Sequence, residues 1–355
     1  YLYNPIRKFP EKSVYQWCQR TSGSRKLTYI GRSIKRFEDA RLITGNGLFI
    51  DDMKLSDMLH AVVIRSVHAH ARIRSINVST ALKLEGIVEV ITGADLVGVL
   101  PDLPIRPMGD RAVEEFNAPQ HPILAQEKVC YVGQPVVVVV AQDPYLARSG
   151  AELVTVDYEP LCPVLNPDEA ANEDTPIIHP SLGTNVAMRS IQEGGDIERA
   201  FAQASHVMRQ KYDVQRLAPS SMETRGVIGD YNSALDMLTV WDSTQAPNQV
   251  KRHLAQMLDR PEGTIRVVAP DVGGSFGIKD CMFSEDVLIP YLSLRLGQPV
   301  KWIEERQENL LTYNGRGISL DVEVAVDGNG VILGIRASVL ADIGAYFYFT
   351  TPFPL

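Results

Sequence analysis

The sequence predicts an α+β fold with more than one domain. Runs of alternating apolar residues, typical of β-strands, are interrupted by a few helical patterns in mixed order, so no repeated βαβ array is expected. A hydrophobic fraction of 45% and a charged fraction of 22% over 355 residues are typical of a globular chain. The polar, proline-containing segment 163–184 is predicted to be a linker between domains.

Residues 1–29 show little periodicity and are predicted to form an extended arm, and residues 30–162 to form the first α+β domain. A short helix is expected at residues 80–84, a surface loop at residues 97–125, and a second helix starting at Pro144, whose fixed φ suits a first helical turn. The run VVVVVA indicates a strand buried on both faces. The predicted strands are GLFIDD, DMLHAVVIRS, ARIRSINVS, IVEVITG, VVVVVA and LVTVDYEPL.

Residues 185–355 are predicted to form a second α+β region. Helices are expected at DIERAFAQA, at residues 248–258 and at residues 283–296, because apolar residues recur there at helical spacing. The turn DGNG predicts a hairpin between residues 322–326 and 331–340. The other predicted strands are SHVMRQKYDVQR, RGVIGDYN, LDMLTVWDS, TIRVV and the start of VKWIEERQENL.

Charge and hydropathy exclude several classes of protein. A formal charge of −8 and a pI near 5.5 argue against nucleic acid as a partner, since phosphate binding needs a basic face. No apolar run is long enough to span a bilayer, and the N-terminal residues lack the apolar core of a signal peptide. A cytoplasmic location is therefore expected.

Cysteine and histidine spacing gives no metal signature. Cys18, Cys130, Cys162 and Cys281 include no C-x-x-C pair, so neither an iron–sulfur cluster nor structural zinc is expected on this chain. The pair His68 and His70 alternates with apolar residues and is interpreted as part of a half-buried strand rather than a metal site.

The stretch TIRVVAPDVGGSFGIKDC is the strongest candidate for chemistry, because a β-rich run ends in a glycine cluster that lets the backbone approach a ligand closely. A dinucleotide loop would need glycine where Ser275 and Ile278 stand. A phosphate loop would need Gly-Lys-Ser/Thr, whereas Ile278, Lys279 and Asp280 follow Gly277. An ordinary glycine-rich turn remains open as the alternative.

Two flanking segments add polar groups. The strand LDMLTVWDS runs into Thr244, Gln245 and Ala246, and an amide side chain at a strand end is as often solvated as functional. The segment QRLAPSSMETR at 215–225 carries two arginines and a carboxylate, which by themselves most often form structural ion pairs.

Taken jointly with these three segments, several others resemble the molybdenum-binding (large) subunit of the xanthine dehydrogenase, aldehyde oxidase and aerobic carbon monoxide dehydrogenase family. The similarity runs from about Ile30 to the end of the sequence. The additional segments are KRFEDAR (35–41), GNG (45–47), DD (51–52), RSVHAHARI (65–73) and VGQPV (132–136).

The resemblance implies a hammerhead-type α/β domain in residues 30–162 and the first part of a molybdenum-cofactor-binding α+β domain in residues 185–355. It also implies a molybdenum–pterin cofactor, in the form of molybdopterin cytosine dinucleotide, and a small-molecule substrate. FAD and [2Fe-2S] clusters would be carried by partners, a medium FAD-binding subunit and a small iron–sulfur subunit.

The resemblance further assigns site residues. Gln245 matches the glutamine whose amide hydrogen-bonds an oxo ligand of molybdenum, which makes it the catalytic candidate. The backbone amides of Ser275, Phe276 and Gly277 match the loop that donates to the cofactor, and glycine at Gly274 and Gly277 permits the approach. Ser275 stands where the family usually has glycine. No protein metal ligand is implied, since the pterin dithiolene holds the metal.

Two functions are compatible with these observations. The first is part of the catalytic subunit of a molybdenum hydroxylase that oxidises an aldehyde, an N-heterocycle or carbon monoxide, with water as the oxygen source. The family subunit is much longer, and its C-terminal half supplies the base glutamate and the substrate-selecting loop. That half is expected on another chain, unless the sequence is a fragment. The second function is a non-catalytic remnant or scaffold that binds partner subunits.

Overall fold

The computed structural model describes residues 29–105, 113–172, 174–280, 282–312 and 315–347. The chain divides into two compact units, residues 1–47 and 48–355. The arm predicted for residues 1–29 lies outside the described residues except for Tyr29. In the first unit, helix α1 spans Asp39–Ile43, and Arg36 pairs with Asp39 at 3.0 Å.

The second unit contains the predicted mixture of strands and helices, which confirms the α+β class. Its helices are α2 (Pro144–Glu152), α3 (Pro167–Ala170), α4 (Ile197–Ala202), α5 (Pro247–Met257), α6 (Ser284–Leu296) and α7 (Arg306–Thr312). Its strands are β1 (Leu59–Arg65), β2 (Ala71–Asn77), β3 (Ile87–Thr92), β4 (Val113–Phe116), β5 (Lys128–Val129), β6 (Pro135–Ala141), β7 (Thr155–Pro160), β8 (Met188–Ser190), β9 (His206–Leu217), β10 (Gly226–Asn232), β11 (Met237–Asp242), β12 (Ile265–Val268), β13 (Val300–Ile303), β14 (Gly315–Val326) and β15 (Ile332–Ala341).

A seven-stranded sheet forms the centre of this unit, in the order β12-β11-β10-β13-β1-β6-β3. Strands β1 and β13 are parallel, as are β11 and β12, while the remaining neighbours run antiparallel. The sheet therefore joins strands from the predicted domain at residues 30–162 to strands from the region at residues 185–355. The domain boundaries themselves stay a prediction.

The apolar core lies along this sheet. Strand β6 is buried along its whole length, as the run VVVVVA predicts for a strand covered on both faces. Helix α2 follows directly, with Pro144 in its first turn and the Asp143 carboxylate accepting from the backbone N–H groups of Tyr145 and Leu146. This cap satisfies donors that the first helical turn leaves free.

Helix α6 is more deeply buried than its sequence pattern predicts. The pattern predicts one apolar face, yet polar side chains are buried as well, at Ser284, Glu285, Asp286 and Ser293. Pro290 lies inside the helix, and its Cα would be 2.8 Å from a Cβ placed on Gly229 of β10. Glycine at that position thus allows α6 to pack closely on the sheet.

A buried network of charges fastens α6 to the sheet. The Arg225 guanidinium is bound to Glu304 at 2.7 Å and to Glu285 at 3.0 Å, and Arg65 of β1 binds Glu285 at 2.6 Å. Burial alone would raise the pKa of Glu285, but Arg65 and Arg225 lower it to about 2. Asn309 and Thr312 of α7 also donate to the Glu304 carboxylate, so its oxygens are all satisfied.

Three local predictions are wrong. The segment GLFIDD ends in a 3₁₀ turn at Ile50–Asp52 rather than a strand, because Asp52 folds back to accept from the Phe49 N–H. His68 and His70 lie in the bend between β1 and β2, where His70 Nδ1 bonds the Cys162 carbonyl. Residues 97–125 are not solely a surface loop, since Leu103, Ile123 and Leu124 are buried; residues 106–112 lie outside the described part.

The hairpin around the DGNG turn is confirmed and is longer than expected. Strands β14 and β15 pair antiparallel, and β9 pairs with the other edge of β14, giving a three-stranded sheet in the order β15-β14-β9. Asp327 accepts from the backbone N–H groups of Asn329 and Val331, which closes the turn. None of the helices in the described part of the chain combines the length and apolar composition that a bilayer crossing requires.

We predict that Glu304→Ala strongly destabilises the chain. The substitution leaves Arg225 with Glu285 alone, which it shares with Arg65. It also removes the carboxylate to which the buried Asn309 and Thr312 side chains donate, so the free energy of unfolding should fall by about 3–5 kcal/mol in urea titrations. The control is Glu198→Ala, which breaks a 2.7 Å pair with Arg336 on the surface and should cost below about 1 kcal/mol. Equal losses in the two variants would contradict a structural role for the buried network.

Candidate cofactor-binding site

The candidate loop leaves the sheet beside the segment that carries Gln245. Strands β11 and β12 are parallel, with Trp241 opposite Val268, so their carboxyl ends meet at one edge of the sheet. Residues 243–246 follow β11 and residues 269–280 follow β12 from that edge. Such an edge is where α/β sheets place ligand-binding loops.

The glycine loop adopts a backbone that ordinary residues avoid. Gly274 has φ of 95°, Gly277 has φ of 100°, and Phe276 takes φ of 55° between them. A Cβ on Gly277 would have no heavy atom within 4 Å, so the backbone there faces open space. The Phe276 side chain is 76% exposed rather than packed in the core. The loop thus presents its backbone outward, as a site for close approach requires.

Three backbone donors of this loop are available. The N–H groups of Ser275, Phe276 and Gly277 donate to no other group among the described residues, whereas the neighbouring Ile278 N–H bonds the Ser275 carbonyl. Successive free N–H groups in a turn of mixed φ sign form a concave site for an anion or an oxygen-rich ligand. The loop can therefore accept such a ligand without rearranging its own hydrogen bonds.

The predicted site residues Gln245 and Ser275 contact each other. The Ser275 hydroxyl donates to Gln245 Oε1, and the same hydroxyl accepts from the Lys279 N–H at 3.3 Å. The Lys279 carbonyl in turn accepts from the Gln245 N–H at 3.1 Å and from the Thr244 hydroxyl at 3.0 Å. With its oxygen engaged, the Gln245 amide NH₂ has no acceptor in the described part of the chain and is left to donate outward.

Glu223 holds both ends of the glycine loop, a role that the sequence did not reveal. Its Oε2 accepts from the Gly273 N–H at 2.8 Å, from Lys279 Nζ at 2.8 Å and from the Ser243 hydroxyl at 2.6 Å. The backbone of Glu223 also donates to the Gly273 carbonyl at 3.1 Å. The sequence predicts structural ion pairs for residues 215–225, and the Glu223–Lys279 pair agrees with that prediction.

The ionisable side chains beneath the loop are buried, and their pKa values are shifted from the usual ones. Burial lowers the pKa of Lys279, and Glu223 opposes that shift. Burial raises the pKa of Asp242 well above its usual range, and the charge of Asp286 raises it further. Burial likewise raises the pKa of Asp286 to about 7, although Arg225 opposes it. Asp242 Oδ2 is buried and has no hydrogen-bond partner in the described residues, so no hydrogen bond at this oxygen opposes the effect of burial.

No group of three or more His, Cys, Asp or Glu residues within the described ranges is arranged to hold a metal ion directly. The chemistry that this site offers is hydrogen-bond donation from Gln245 and the loop amides. A ligand bound here would bring any metal with it.

The sequence comparisons match this arrangement to known domains. The model of the aldehyde oxidase and xanthine dehydrogenase a/b hammerhead domain matches residues 44–162, and the model of the molybdopterin cofactor-binding domain matches residues 178–355. The chain belongs to the molybdenum-binding subunits of the xanthine dehydrogenase family. Both the fold class and the family resemblance are thereby confirmed.

Curated members of this family support the assignment along most of the chain. The 6-hydroxypseudooxynicotine dehydrogenase complex subunit gamma of Paenarthrobacter nicotinovorans is 39% identical over 324 residues, which cover 91% of this chain and 40% of that subunit. The carbon monoxide dehydrogenase large chain of Afipia carboxidovorans is 37% identical over 350 residues, covering 94% of this chain and 42% of the relative. The chain thus spans about 40% of the length of these relatives.

Solved structures of the family share the fold. Quinoline 2-oxidoreductase from Pseudomonas putida 86 superposes with a TM-score of 0.81 at 37% identity, over 87% of this chain and 39% of the other. Carbon monoxide dehydrogenase from Oligotropha carboxidovorans superposes with a TM-score of 0.77 at 34% identity, over 87% of this chain and 39% of the other.

We predict that Glu223→Ala loosens the loop. Lys279 would lose its buried counter-charge and Gly273 its acceptor, so hydrogen exchange at the Gly273 and Gln245 amides should accelerate, with a local cost of about 3–5 kcal/mol. Glu223→Gln, which keeps one acceptor oxygen, should fall between wild type and Ala. Glu262→Ala, in the exposed turn before β12, serves as the control. Unchanged hydrogen exchange in Glu223→Ala would rule out that Glu223 holds the two ends of the glycine loop.

Proposed function

We propose that this chain is part of the catalytic subunit of a molybdenum hydroxylase. The enzyme oxidises an aldehyde, an aromatic N-heterocycle or carbon monoxide, takes its oxygen from water, and passes electrons to iron–sulfur and flavin subunits. The relatives named above bear the names of nicotine-derivative, quinoline and carbon monoxide oxidoreductases, which supports this range of substrates.

One observation carries the proposal: a side-chain amide whose NH₂ has no acceptor among the described residues lies beside three backbone N–H groups that have none there either. Gln245 has its oxygen bound by Ser275 of the same loop, so its NH₂ remains able to donate to a bound group. Donors fixed in advance stabilise charge that develops on a bound group, because they need no reorganisation during the reaction. An ordinary glycine-rich turn has no need for a side-chain donor beside its backbone donors.

The proposed cofactor-binding residues are Gln245, Gly274, Ser275, Phe276 and Gly277. The open space at Gly277 and the loop amides, which have no acceptor among the described residues, fit a bulky, oxygen-rich group. When bound, a molybdenum–pterin supplies an electron-pair acceptor whose metal is held by sulfur atoms of the pterin, so the protein contributes orientation and hydrogen bonds rather than ligands. In this proposal the Gln245 amide would hold the bound cofactor by donating a hydrogen bond to it near the metal.

The same proposal specifies the cofactor form and the partners. The cofactor is molybdopterin cytosine dinucleotide, and FAD and [2Fe-2S] clusters are carried by a medium and a small subunit. A polypeptide with the C-terminal part of the molybdenum subunit completes the site and supplies the general base. The complex acts in the cytoplasm.

Among the described residues, Glu223 and Asp242 lie beside the loop, and Glu223 is engaged through one of its two oxygens. Glu223 Oε2 accepts from Gly273, Lys279 and Ser243. Asp242 is buried beneath the loop, and burial raises its pKa well above its usual range. A general base must reach the proton that it removes, so the proposal places that group on the completing polypeptide.

The test is a comparison of the chain alone with the assembled complex. The chain alone, reconstituted with molybdenum cofactor, should show no oxidation of aldehydes, N-heterocycles or carbon monoxide. Co-expression with the completing polypeptide and the flavin and iron–sulfur subunits should give about one molybdenum per complex and turnover with an artificial electron acceptor. A folded complex without molybdenum would instead favour the non-catalytic scaffold.

In the molybdenum-loaded complex, Gln245→Ala should lower turnover by about one to three orders of magnitude, since it removes one preorganised hydrogen bond at the reacting centre. Metal analysis should still find molybdenum. The matched control is Gln249→Ala, four residues later in the first turn of α5, which should leave turnover unchanged. Full turnover in a molybdenum-replete Gln245→Ala complex would refute the assigned role.

A further inference from the structure

The three-stranded sheet β15-β14-β9 has two chemically different faces. Its strands are long, with twelve residues in β9, twelve in β14 and ten in β15. Residues directly opposite in neighbouring strands share a face, so the pairing register assigns each side chain to one side. Leu320, for example, lies opposite Tyr212 on one side and Val339 on the other.

One side of the sheet, here called the apolar face, has four consecutive paired rows without a charged residue; the next row pairs Arg216 with Arg316 at one end and His206 with Val326 at the other. Apart from Gln210, every member of the four rows is apolar. The rows are Val214–Ile318–Ala341, Tyr212–Leu320–Val339, Gln210–Val322–Ala337 and Met208–Val324–Ile335.

The opposite face is charged and has its own partners. Arg209 pairs with Glu323 at 2.8 Å, and Arg336 of β15 reaches the same carboxylate at 3.4 Å. The Arg336 guanidinium also stacks over the Phe201 ring of helix α4, 4.6 Å from its centroid. This face is therefore suited to solvent and to the short helix that packs on it.

The apolar face is open in the described part of the chain. Tyr212, Met208 and Ile335 are each 56% exposed, and Val339 is 48% exposed. Single exposed apolar residues are common, but a contiguous patch across three strands marks an interaction surface. A sheet with one charged and one apolar face gains its stability when the apolar face is covered.

We infer that the apolar face is the docking surface for the polypeptide that supplies the rest of the molybdenum subunit. This inference rests on the proposed function. The chain covers only 40% of the subunit gamma relative and 42% of the carbon monoxide dehydrogenase large chain, so most of each relative lies outside the aligned part. That remaining polypeptide needs a large surface on which to pack.

The chemistry of the surface favours this occupant. Interfaces that are permanent resemble a protein core cut in two, whereas surfaces for transient partners are more polar. The four rows of the apolar face lack charged residues to steer a transient partner, and Arg216 at their border is already paired with Asp342 at 2.8 Å. The face lies within the region matched by the molybdopterin cofactor-binding domain model. Its complement should be an uncharged, apolar face of a sheet or helix.

The experiment uses two adjacent residues of β15 that point to opposite faces. Val339→Lys puts a charge on the apolar face, and Ser338→Lys puts the same charge on the other face, opposite Asp321. The full chain is co-expressed with a tagged probe, the part of the P. nicotinovorans subunit gamma that this chain does not cover. Tag capture and native mass spectrometry then measure association, with circular dichroism to verify folding.

Wild type and Ser338→Lys should be retained by the probe, whereas Val339→Lys should bind about a hundredfold more weakly, because an uncompensated charge would be buried. Tyr212→Lys, on an exposed position of β9, should repeat the loss. Equal retention of all variants, or no retention of wild type, would overturn the inference. So would self-association of wild type that Val339→Lys abolishes, since it would assign the face to a second copy.

These readouts separate the surface from the function. Retention of the probe without molybdenum or turnover would leave the surface assigned and refute the hydroxylase. An active, molybdenum-containing complex whose assembly ignores Val339→Lys would support the hydroxylase and refute the surface.

Discussion

The buried Arg225 guanidinium is the contact on which the rest of the structure depends. It lies 3.9 Å above the Phe283 ring and binds Glu285 of α6 and Glu304 after β13, while Arg65 of β1 shares Glu285. Removal of one member of a buried ion pair lowers stability strongly, because the remaining charge stays buried with less compensation. The network therefore fixes where α6, β10, β13 and β1 stand relative to one another, at the price of several desolvated charges.

The glycine loop depends on that framework through a second, smaller set of contacts. Glu223, two residues before Arg225, is positioned by the same segment and fixes the loop at Gly273 and Lys279. The loop can then hold positive φ values and free backbone donors, which a flexible turn would lose to solvent or to internal bonds. The short segment from Glu223 to Arg225 thus links the rigid charge network below the loop to the loop itself.

The chain belongs to the molybdenum-binding subunits of the xanthine dehydrogenase family, and the roles of the residues at this site are proposals from geometry. Ser275 illustrates the link between the two. It stands where the resemblance expects glycine, and its hydroxyl binds Gln245. This side chain thereby orients the amide that the proposal assigns to the cofactor. The departure from the family pattern therefore adds a contact within the site.

The sequence by itself determined most strands and helices, because alternation and helical spacing are local properties, and it determined the family through motifs of contiguous residues. The tertiary structure alone decided what distant residues do together. Arg65 and Glu285, 220 positions apart, pair only because β1 lies in the same sheet as β10 and β13. Packing likewise decides three other features: the contacts of Glu223 with the glycine loop, the burial of polar residues on α6, and the open side of the β15-β14-β9 sheet. Local patterns state that a face is apolar; only the assembled chain shows which faces are covered.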